Sequence, residues 1–252
     1  MIGMYTVSEH DLHIIGDVRA EMNDMLGAEA GVHVREQKLD TDTSLAEKID
    51  HTVLGVKATR EAVRRVVDET VQHQFSAACI PPSMLAYARQ VGGDNLTLAT
   101  VISFPYGDDT AGAKAVQVAD VWGLADEFDM VINIAAALDH MWQDVYNDIR
   151  AVVLAAAGKD VKVIIETSYL DSVEKIAASI LAQEAGAAYV KTSTGMSGGG
   201  ATVADVALIR ATVGEKTKIK ASGGIRDRKT AEAMVAAGAD RLGTSNSLAI
   251  IA

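Results

Sequence analysis

Short apolar runs alternate with longer amphipathic stretches from residue 48 to the end of the chain. The short runs are rich in β-branched residues and are bounded by polar or glycine-containing segments, as buried strands are. The longer stretches place apolar residues at helical spacing, and strands joined by such helices run parallel. We predict strands at Ile49–Val53, Ser76–Ile80, Thr97–Ser103, Glu127–Ile132, Val161–Glu166, Tyr189–Thr192, Thr217–Ala221 and Arg241–Thr244.

The stretches between these strands predict the connecting helices. Gly186 and Gly238 each follow the end of such a stretch, where a left-handed helix C-cap favours glycine. Eight strand units that close on themselves make an α/β fold of the (β/α)8 TIM barrel type, with roughly 250 residues. An open doubly wound sheet is the alternative, but the chain lacks its Gly-x-Gly-x-x-Gly turn. We predict helices at Arg60–Gln72, Gly112–Leu124, Val145–Ala157, Val173–Ala185, Val203–Val213 and Lys229–Ala237.

Residues 1–47 precede the barrel pattern and are acidic and mixed in character. Apolar residues between Asp11 and Leu26 recur at helical spacing, whereas residues 27–43 are polar and contain glycine. We therefore predict an N-terminal helical extension at 1–47 and a barrel at 48–252, which together form a single domain.

The chain of 252 residues is 49% hydrophobic and carries a formal net charge of −11 at pH 7. This charge argues against nucleic acid and anionic membranes as partners, because both require a basic face. An anionic substrate would need a local cationic pocket. No apolar run approaches the roughly 18 residues of a membrane span, and the first residues lack the pattern of a secretion signal.

Cys79 is the single cysteine, which excludes an internal disulfide and favours a reducing, cytoplasmic location. Because Cys79 lies within an apolar run, a buried and inert thiol is favoured over a nucleophile. The six histidines lack the spacing of a zinc site, and the chain has neither a P-loop nor a Gly-x-Ser-x-Gly motif. We predict neither a metal nor a cofactor.

Lys162, Lys191 and Lys220 accompany successive predicted strands. Burying an ammonium group is costly, and this cost lowers a lysine pKa until the neutral amine can act as a nucleophile. Barrel residues at the carboxyl ends of the strands point into one mouth, so Asp50 and Asp129 could converge there with the lysines. The alternatives are lysines whose head groups reach solvent and a purely structural salt bridge at Asp129.

Glycine-rich turns follow the last two predicted strands. Gly223 and Gly224 follow the seventh, and Gly243, Thr244 and Ser245 follow the eighth. Barrels commonly bind phosphate here through backbone N–H groups and a short helix, which we expect Ser245 to begin. A tight turn without a ligand is the alternative for the glycine pair.

Six motifs occur between about Lys48 and Ala249, namely Ile49–Thr52, Ala125–Asn133, Lys162–Thr167, Val190–Gly195, Gly199–Thr202 and Lys220–Arg226. Together they resemble the deoxyribose-phosphate aldolase family. The resemblance implies a metal-free class I aldolase that reversibly cleaves 2-deoxy-D-ribose 5-phosphate to D-glyceraldehyde 3-phosphate and acetaldehyde.

The resemblance also implies three catalytic residues, of which Lys191 forms the Schiff base and Lys220 and Asp129 assist. A protonated imine supplies the electron sink that carbon–carbon cleavage needs. We expect Lys220 to lower the pKa of Lys191, because like charges roughly 4 Å apart at an effective dielectric near 20 repel by about 4 kcal/mol. Asp129 would shuttle protons.

Further roles follow from the same resemblance. Lys162, Asp50 and Thr194 are expected to support the reacting groups by tuning and orienting them. The substrates would be a small phosphorylated sugar and aldehydes, and the protein would be a cytoplasmic homodimer. The predicted phosphate-binding residues are Gly195, Gly223, Gly224 and Ser245.

The chain departs from the family pattern at Gly198 and Asn246, on the presumptive phosphate side, and at Leu138, where many members carry a basic residue. It also ends at Ala252, without the longer tail, ending in tyrosine, of some members. Two alternatives remain open. One is a Schiff-base barrel aldolase of the transaldolase or ketose-bisphosphate type, and the other is a non-catalytic phosphosugar-binding barrel, which would not need Lys191, Lys220 and Asp129 together.

Overall fold

The computed structural model describes residues 7–35 and 43–252. Within these ranges, eight parallel strands pair in sequence order, and the eighth pairs with the first to close a barrel. This arrangement confirms the predicted (β/α)8 fold, and the strand ends lie within two residues of the predicted ones. The strands are β1 Ile49–Thr52, β2 Ala77–Ile80, β3 Leu98–Ile102, β4 Glu127–Val131, β5 Asp160–Ile164, β6 Tyr189–Lys191, β7 Lys218–Ser222 and β8 Arg241–Thr244.

Helices cover the outside of the barrel and include the six predicted from the sequence. Two further helices, α3 (Leu85–Gly92) and α5 (Ile134–Leu138), were not predicted. The sequence hides α3 because it is short, follows Pro81 and Pro82, and ends beside Gly93, so its apolar positions do not repeat over a long stretch. The helices are α1 Glu9–Leu26, α2 Arg60–His73, α3 Leu85–Gly92, α4 Ala111–Val121, α5 Ile134–Leu138, α6 Trp142–Ala156, α7 Ser172–Glu184, α8 Val203–Val213, α9 Arg228–Ala236 and α10 Ser247–Ile251.

Alternation along each strand separates the two faces of the barrel wall. In β4, Phe128 and Met130 pack in the large apolar core shared with the helices, whereas Glu127 and Asp129 form ion pairs with Lys162 of β5. Successive side chains of a strand point to opposite faces, so the charged residues lie inside the barrel. The fold therefore gathers charge in the barrel interior while its apolar residues hold the helices in place.

Helix α1 confirms the predicted N-terminal helix. Ser8 begins it with a capping box to Asp11, and the helix contacts α7 on the outside of the barrel. Its buried positions recur every three or four residues, as expected for one apolar face, and are Ile15, Val18, Met22 and Leu26. Part of the predicted polar connection, residues 36–42, lies outside the described residues.

Candidate active site

The barrel interior contains a connected network of charged side chains, of which Asp129 is the centre. Its Oδ2 atom accepts hydrogen bonds from the Nζ atoms of Lys191 and Lys220, both at 2.7 Å. Its Oδ1 atom accepts a bond from Lys162 Nζ at 3.0 Å. The predicted convergence of the three lysines on Asp129 is therefore present, and the network also includes Asp50, Glu127 and Arg241.

The three lysines differ in how many carboxylates they contact among the described residues. Lys162 lies 2.5 Å from Glu127, 3.0 Å from Asp129 and 3.6 Å from Asp50. Lys220 has two carboxylate partners, Asp50 at 2.5 Å and Asp129 at 2.7 Å. Lys191 has Asp129 alone, at 2.7 Å. Lys191 is thus the lysine with the least support for a positive charge.

The pKa values of Lys191 and Lys220 differ in the same sense as their numbers of carboxylate partners. Burial lowers the pKa of Lys191, and the neighbouring Lys220 lowers it further, although Asp129 opposes the shift. For Lys220, burial also disfavours the charged form, but contacts with Asp129 and Asp50 outweigh it and raise its pKa. The sequence argument named both burial and Lys220 as causes of a lowered pKa at Lys191, and in the structure burial is the larger of the two.

The same network holds its carboxylates in the ionised form. Burial alone would raise the pKa of Asp129, but Lys162, Lys191 and Lys220 outweigh burial and keep that pKa well below its usual range. Asp50 is likewise fully buried, and nearby cations lower its pKa, with Arg241 making the largest contribution among them. Asp129 is thus an acceptor and not a resting acid.

The side of the barrel formed by β2 and β3 is apolar. Ala77, Cys79, Ala99 and Val101 form a small buried cluster there, with Leu54 and Phe104 packed against it. Cys79 is fully buried, and burial raises the pKa of its thiol, as expected for an inert cysteine. The barrel interior therefore offers a charged half and an apolar half, and Cys79 interacts electrostatically with Lys191 of the charged half.

The four predicted phosphate-binding residues line one cavity of about 290 Å³ at the carboxyl ends of β6, β7 and β8. Gly223 has φ +86°, and a Cβ there would lie 2.9 Å from the Cα of Gly200, so glycine permits the close approach of the two loops. Helix α10 begins at Ser247, not at Ser245, and spans only Ser247–Ile251. Backbone N–H groups of the loops, rather than a helix N-terminus, are therefore the donors available at Ser245.

Sequence reasoning overlooked Arg226 and Glu166. Arg226 is exposed, lines the same cavity and has no carboxylate partner among the described residues, so it supplies the local cation that an anionic substrate would need. Glu166 is buried, and its Oε2 atom accepts bonds from the Thr194 backbone N–H at 3.0 Å and hydroxyl at 2.5 Å. Glu166 therefore fixes the loop that contains Gly195. Its place in the Lys162–Thr167 motif, directly after the apolar run of a predicted strand, was the available signal.

The described residues contain no group of three or more histidine, cysteine, aspartate or glutamate side chains placed to hold a metal ion. Within the same ranges, no helix has the length and apolar character needed to cross a membrane.

A closed (β/α)8 barrel with a buried amine at its carboxyl-terminal mouth has the architecture of a Schiff-base enzyme. Residues 44–250 match the model of the DeoC/LacD family aldolases. The chain belongs to this family. It is 46% identical to deoxyribose-phosphate aldolase of Staphylococcus epidermidis over 208 residues, which cover 82% of this chain and 94% of the relative. It is 47% identical to that of Enterococcus faecalis over 210 residues, which cover 82% and 96%.

Solved structures show the same fold. A protein from Coccidioides immitis, assigned as a candidate deoxyribose-phosphate aldolase, superposes with a TM-score of 0.82 and 33% identity over 100% of this chain and 98% of its own. Deoxyribose phosphate aldolase from Aeropyrum pernix, described as a tetramer, superposes with a TM-score of 0.75 and 30% identity over 97% of both chains. The resemblance inferred from the motifs and the predicted enzyme class are thereby confirmed.

Proposed function

We propose that this protein is a class I aldolase that reversibly cleaves 2-deoxy-D-ribose 5-phosphate to D-glyceraldehyde 3-phosphate and acetaldehyde, with Lys191 as the Schiff-base lysine. One observation carries the assignment. Among the three lysines of the barrel network, Lys191 is the one with a single carboxylate partner in the described residues, and it belongs to the strand whose following loop lines the glycine-rich cavity. A neutral amine is thus placed beside a pocket suited to a phosphate group.

The glycine-rich loops and the barrel interior suit the two ends of the open-chain sugar. The C5 phosphate would lie against Gly195, Gly223, Gly224 and Ser245, with the Arg226 guanidinium supplying positive charge. The C1 aldehyde would reach Lys191. The C2 methylene, which becomes the methyl group of acetaldehyde, would then face the apolar cluster around Cys79.

The chemistry uses Lys191 as both nucleophile and electron sink. Its amine adds to C1, and loss of water gives a protonated imine. Removal of the C3 hydroxyl proton turns C3 into a carbonyl, while the C2–C3 bonding electrons move into the imine to form an enamine. Glyceraldehyde 3-phosphate leaves. The enamine takes a proton at C2, and water hydrolyses the resulting imine to acetaldehyde and free Lys191.

Asp129 and Lys220 are placed to carry the protons of these steps. Asp129 Oδ2 lies 2.7 Å from both amines, so a proton given up by Lys220 can pass through one carboxylate to the groups reacting at Lys191. The raised pKa of Lys220 keeps it protonated and therefore able to act as an acid. Lys162 and Asp50 would hold this pair in position, and Thr194 would orient the loop after β6.

Reduction with borohydride in the presence of acetaldehyde tests the assignment, because it converts the imine into a stable ethylamine. We expect peptide mass mapping to place the ethyl group on Lys191, with faster labelling than at the exposed Lys229, because only a neutral amine adds to the aldehyde. Lys191→Met should abolish both the label and cleavage of deoxyribose phosphate. Labelling of Lys220 alone would contradict the proposal.

The alternatives give different results in the same experiment. An aldolase of the transaldolase or ketose-bisphosphate type would turn over a ketone donor but not acetaldehyde, and a non-catalytic barrel would bind sugar phosphate without labelling. A homodimer and a cytoplasmic location remain predictions for this chain. Sedimentation of the purified protein measures the first, and the tetramer described for the Aeropyrum pernix enzyme is the competing outcome.

A further inference from the structure

Arg241 lies at the amino-terminal start of β8, at the end of the barrel opposite the glycine-rich cavity. Its guanidinium donates two hydrogen bonds to Asp50 Oδ1, one of them from Nε at 2.8 Å, and lies 3.4 Å from Glu127. Asp50 in turn contacts Lys220 through its other oxygen, at 2.5 Å. Arg241 therefore belongs to the network that reaches Lys191, although it lies at the far end of the strands.

Counting the charges of this network explains why one lysine must lose its proton. Within the described residues, the network holds four basic side chains and three carboxylates. A buried cluster with an excess positive charge releases a proton, and an arginine does not lose its proton in proteins, so the proton comes from a lysine. Lys191, with its single carboxylate partner, loses it most readily. The remaining charges then balance.

We propose that Arg241 is a positioning residue for the reaction. Its fixed positive charge requires one lysine of the network to be neutral, and that lysine is Lys191, which has the fewest carboxylate partners. This inference rests on the proposed function. Charged residues at the amino-terminal face of a barrel ordinarily serve stability. Here the contacts through Asp50 and Lys220 connect that face to the reacting amine.

Eight other charged or titratable groups of the described residues belong to the network around Lys191 or adjoin it, and they lie on seven strands, including β6 itself. Asp129 contacts Lys191 directly, Lys220 contacts the same Asp129 oxygen, and Cys79 of β2 interacts electrostatically with Lys191. The others act through these partners. The full set is Asp50 of β1, Cys79 of β2, Glu127 and Asp129 of β4, Lys162 of β5, Tyr189 of β6, Lys220 of β7 and Arg241 of β8.

Two opposite substitutions test the charge count. Arg241→Met leaves three lysines facing three carboxylates, so Lys191 should keep its proton and the acid limb of kcat/KM should move to higher pH by about one unit or more. Glu127→Gln leaves a larger positive excess, so the acid limb should move to lower pH. Arg241→Lys keeps the charge and should keep the midpoint of the parent.

The double variant Arg241→Met/Glu127→Gln removes one charge of each sign. It should restore the midpoint of the parent, which a loss of stability or packing would not do. The measurement is kcat/KM for deoxyribose phosphate from pH 5 to pH 10, together with the rate of borohydride labelling of Lys191 by acetaldehyde at each pH, and circular dichroism for the folded fraction.

The two proposals fail in different ways. If the parent is not labelled at Lys191, the proposed function is wrong. If the parent is labelled but the pH midpoints of the parent, Arg241→Met and Glu127→Gln coincide, Arg241 has no influence on the ionisation of Lys191. If both single variants move in the same direction, or the double variant does not return, the charge count is overturned. Should Arg241→Met fail to fold, the shift in Glu127→Gln and its reversal in the double variant decide the question.

Discussion

Lys191 and Lys220 occupy paired positions on adjacent strands, yet the structure gives the two amines different surroundings. Lys220 has two carboxylate partners and a raised pKa, whereas Lys191 has one and a lowered pKa. The neighbouring ammonium acts on Lys191 in addition to burial. In the proposed mechanism the nucleophile and the acid are therefore the same residue type, and their different carboxylate partners distinguish them.

Lys220→Leu should reveal the contribution of this neighbour. Without the Lys220 charge the network is balanced with Lys191 protonated, so kcat/KM at pH 7 should fall about tenfold or more and recover in part at alkaline pH. Lys220→Arg keeps the charge but transfers protons poorly, so it should lose rate while its pH midpoint stays closer to that of the parent. The measurement is the pH profile from pH 6 to pH 10 in all three proteins. A Leu profile that runs lower but parallel would assign Lys220 to proton transfer or substrate contact alone.

At the scale of elements, the loops after β6, β7 and β8 form one unit. Gly195 and Gly223 both have positive φ values, and their Cα atoms are close enough that an added Cβ on Gly195 would lie 3.4 Å from Gly223. Glu166, at the end of β5, bonds Thr194 and so fixes the first of these loops. The cavity is therefore shaped by backbone contacts between loops, with Ser245 exposed at its edge.

Ser245→Asp should weaken phosphate binding, because a carboxylate would repel the anion at the edge of this cavity. We expect KM for deoxyribose 5-phosphate to rise by about tenfold or more, with little change in kcat/KM for unphosphorylated deoxyribose. Ala249→Asp is the matched control, since it adds the same charge to the exposed side of α10, outside the cavity. Equal losses with both substrates would place the phosphate elsewhere.

The sequence predicts the secondary-structure elements better than it predicts which side chains contact one another. Strand positions follow from apolar runs such as that of Val161 to Ile165, which each need only local information. The proposed role of Arg241 depends on its contact with Asp50, 191 positions away in the chain, which no local pattern encodes. Alternation in β4 could have placed Glu127 on the same face as Asp129, two residues later. The support of Thr194 by Glu166 likewise appears only once the loops are packed.

Across the whole molecule, basic side chains gather at the candidate site although the protein as a whole is acidic. The chain carries a formal net charge of −11, yet the barrel interior holds more basic groups than carboxylates and Arg226 lines the glycine-rich cavity. An anion approaching the mouth therefore meets a cation despite the acidic character of the protein. Electrostatic recognition here depends on the placement of a few side chains and not on the overall charge.

We infer that the extension at 1–47 and the barrel at 48–252 unfold as one cooperative unit, because α1 adds its apolar face to the main core. Met22 is fully buried against that core, and truncation of such a side chain costs about 2–5 kcal/mol. Both tryptophans, Trp122 and Trp142, lie in the barrel, so their fluorescence reports barrel unfolding. Met22→Ala should therefore lower the urea midpoint measured by tryptophan fluorescence as much as that measured by circular dichroism.

Leu12→Ala provides the control for this last prediction. Leu12 lies on the same helix but is 53% exposed, and its truncation should change the free energy of unfolding by less than about 0.5 kcal/mol. If Met22→Ala left the fluorescence midpoint unchanged while an early loss of helical signal appeared in circular dichroism, α1 would detach independently, and the single-domain prediction would be wrong. Coincident shifts would instead mean that docking of α1 on α7 stabilises the barrel that holds Lys191, because one packed core connects the two.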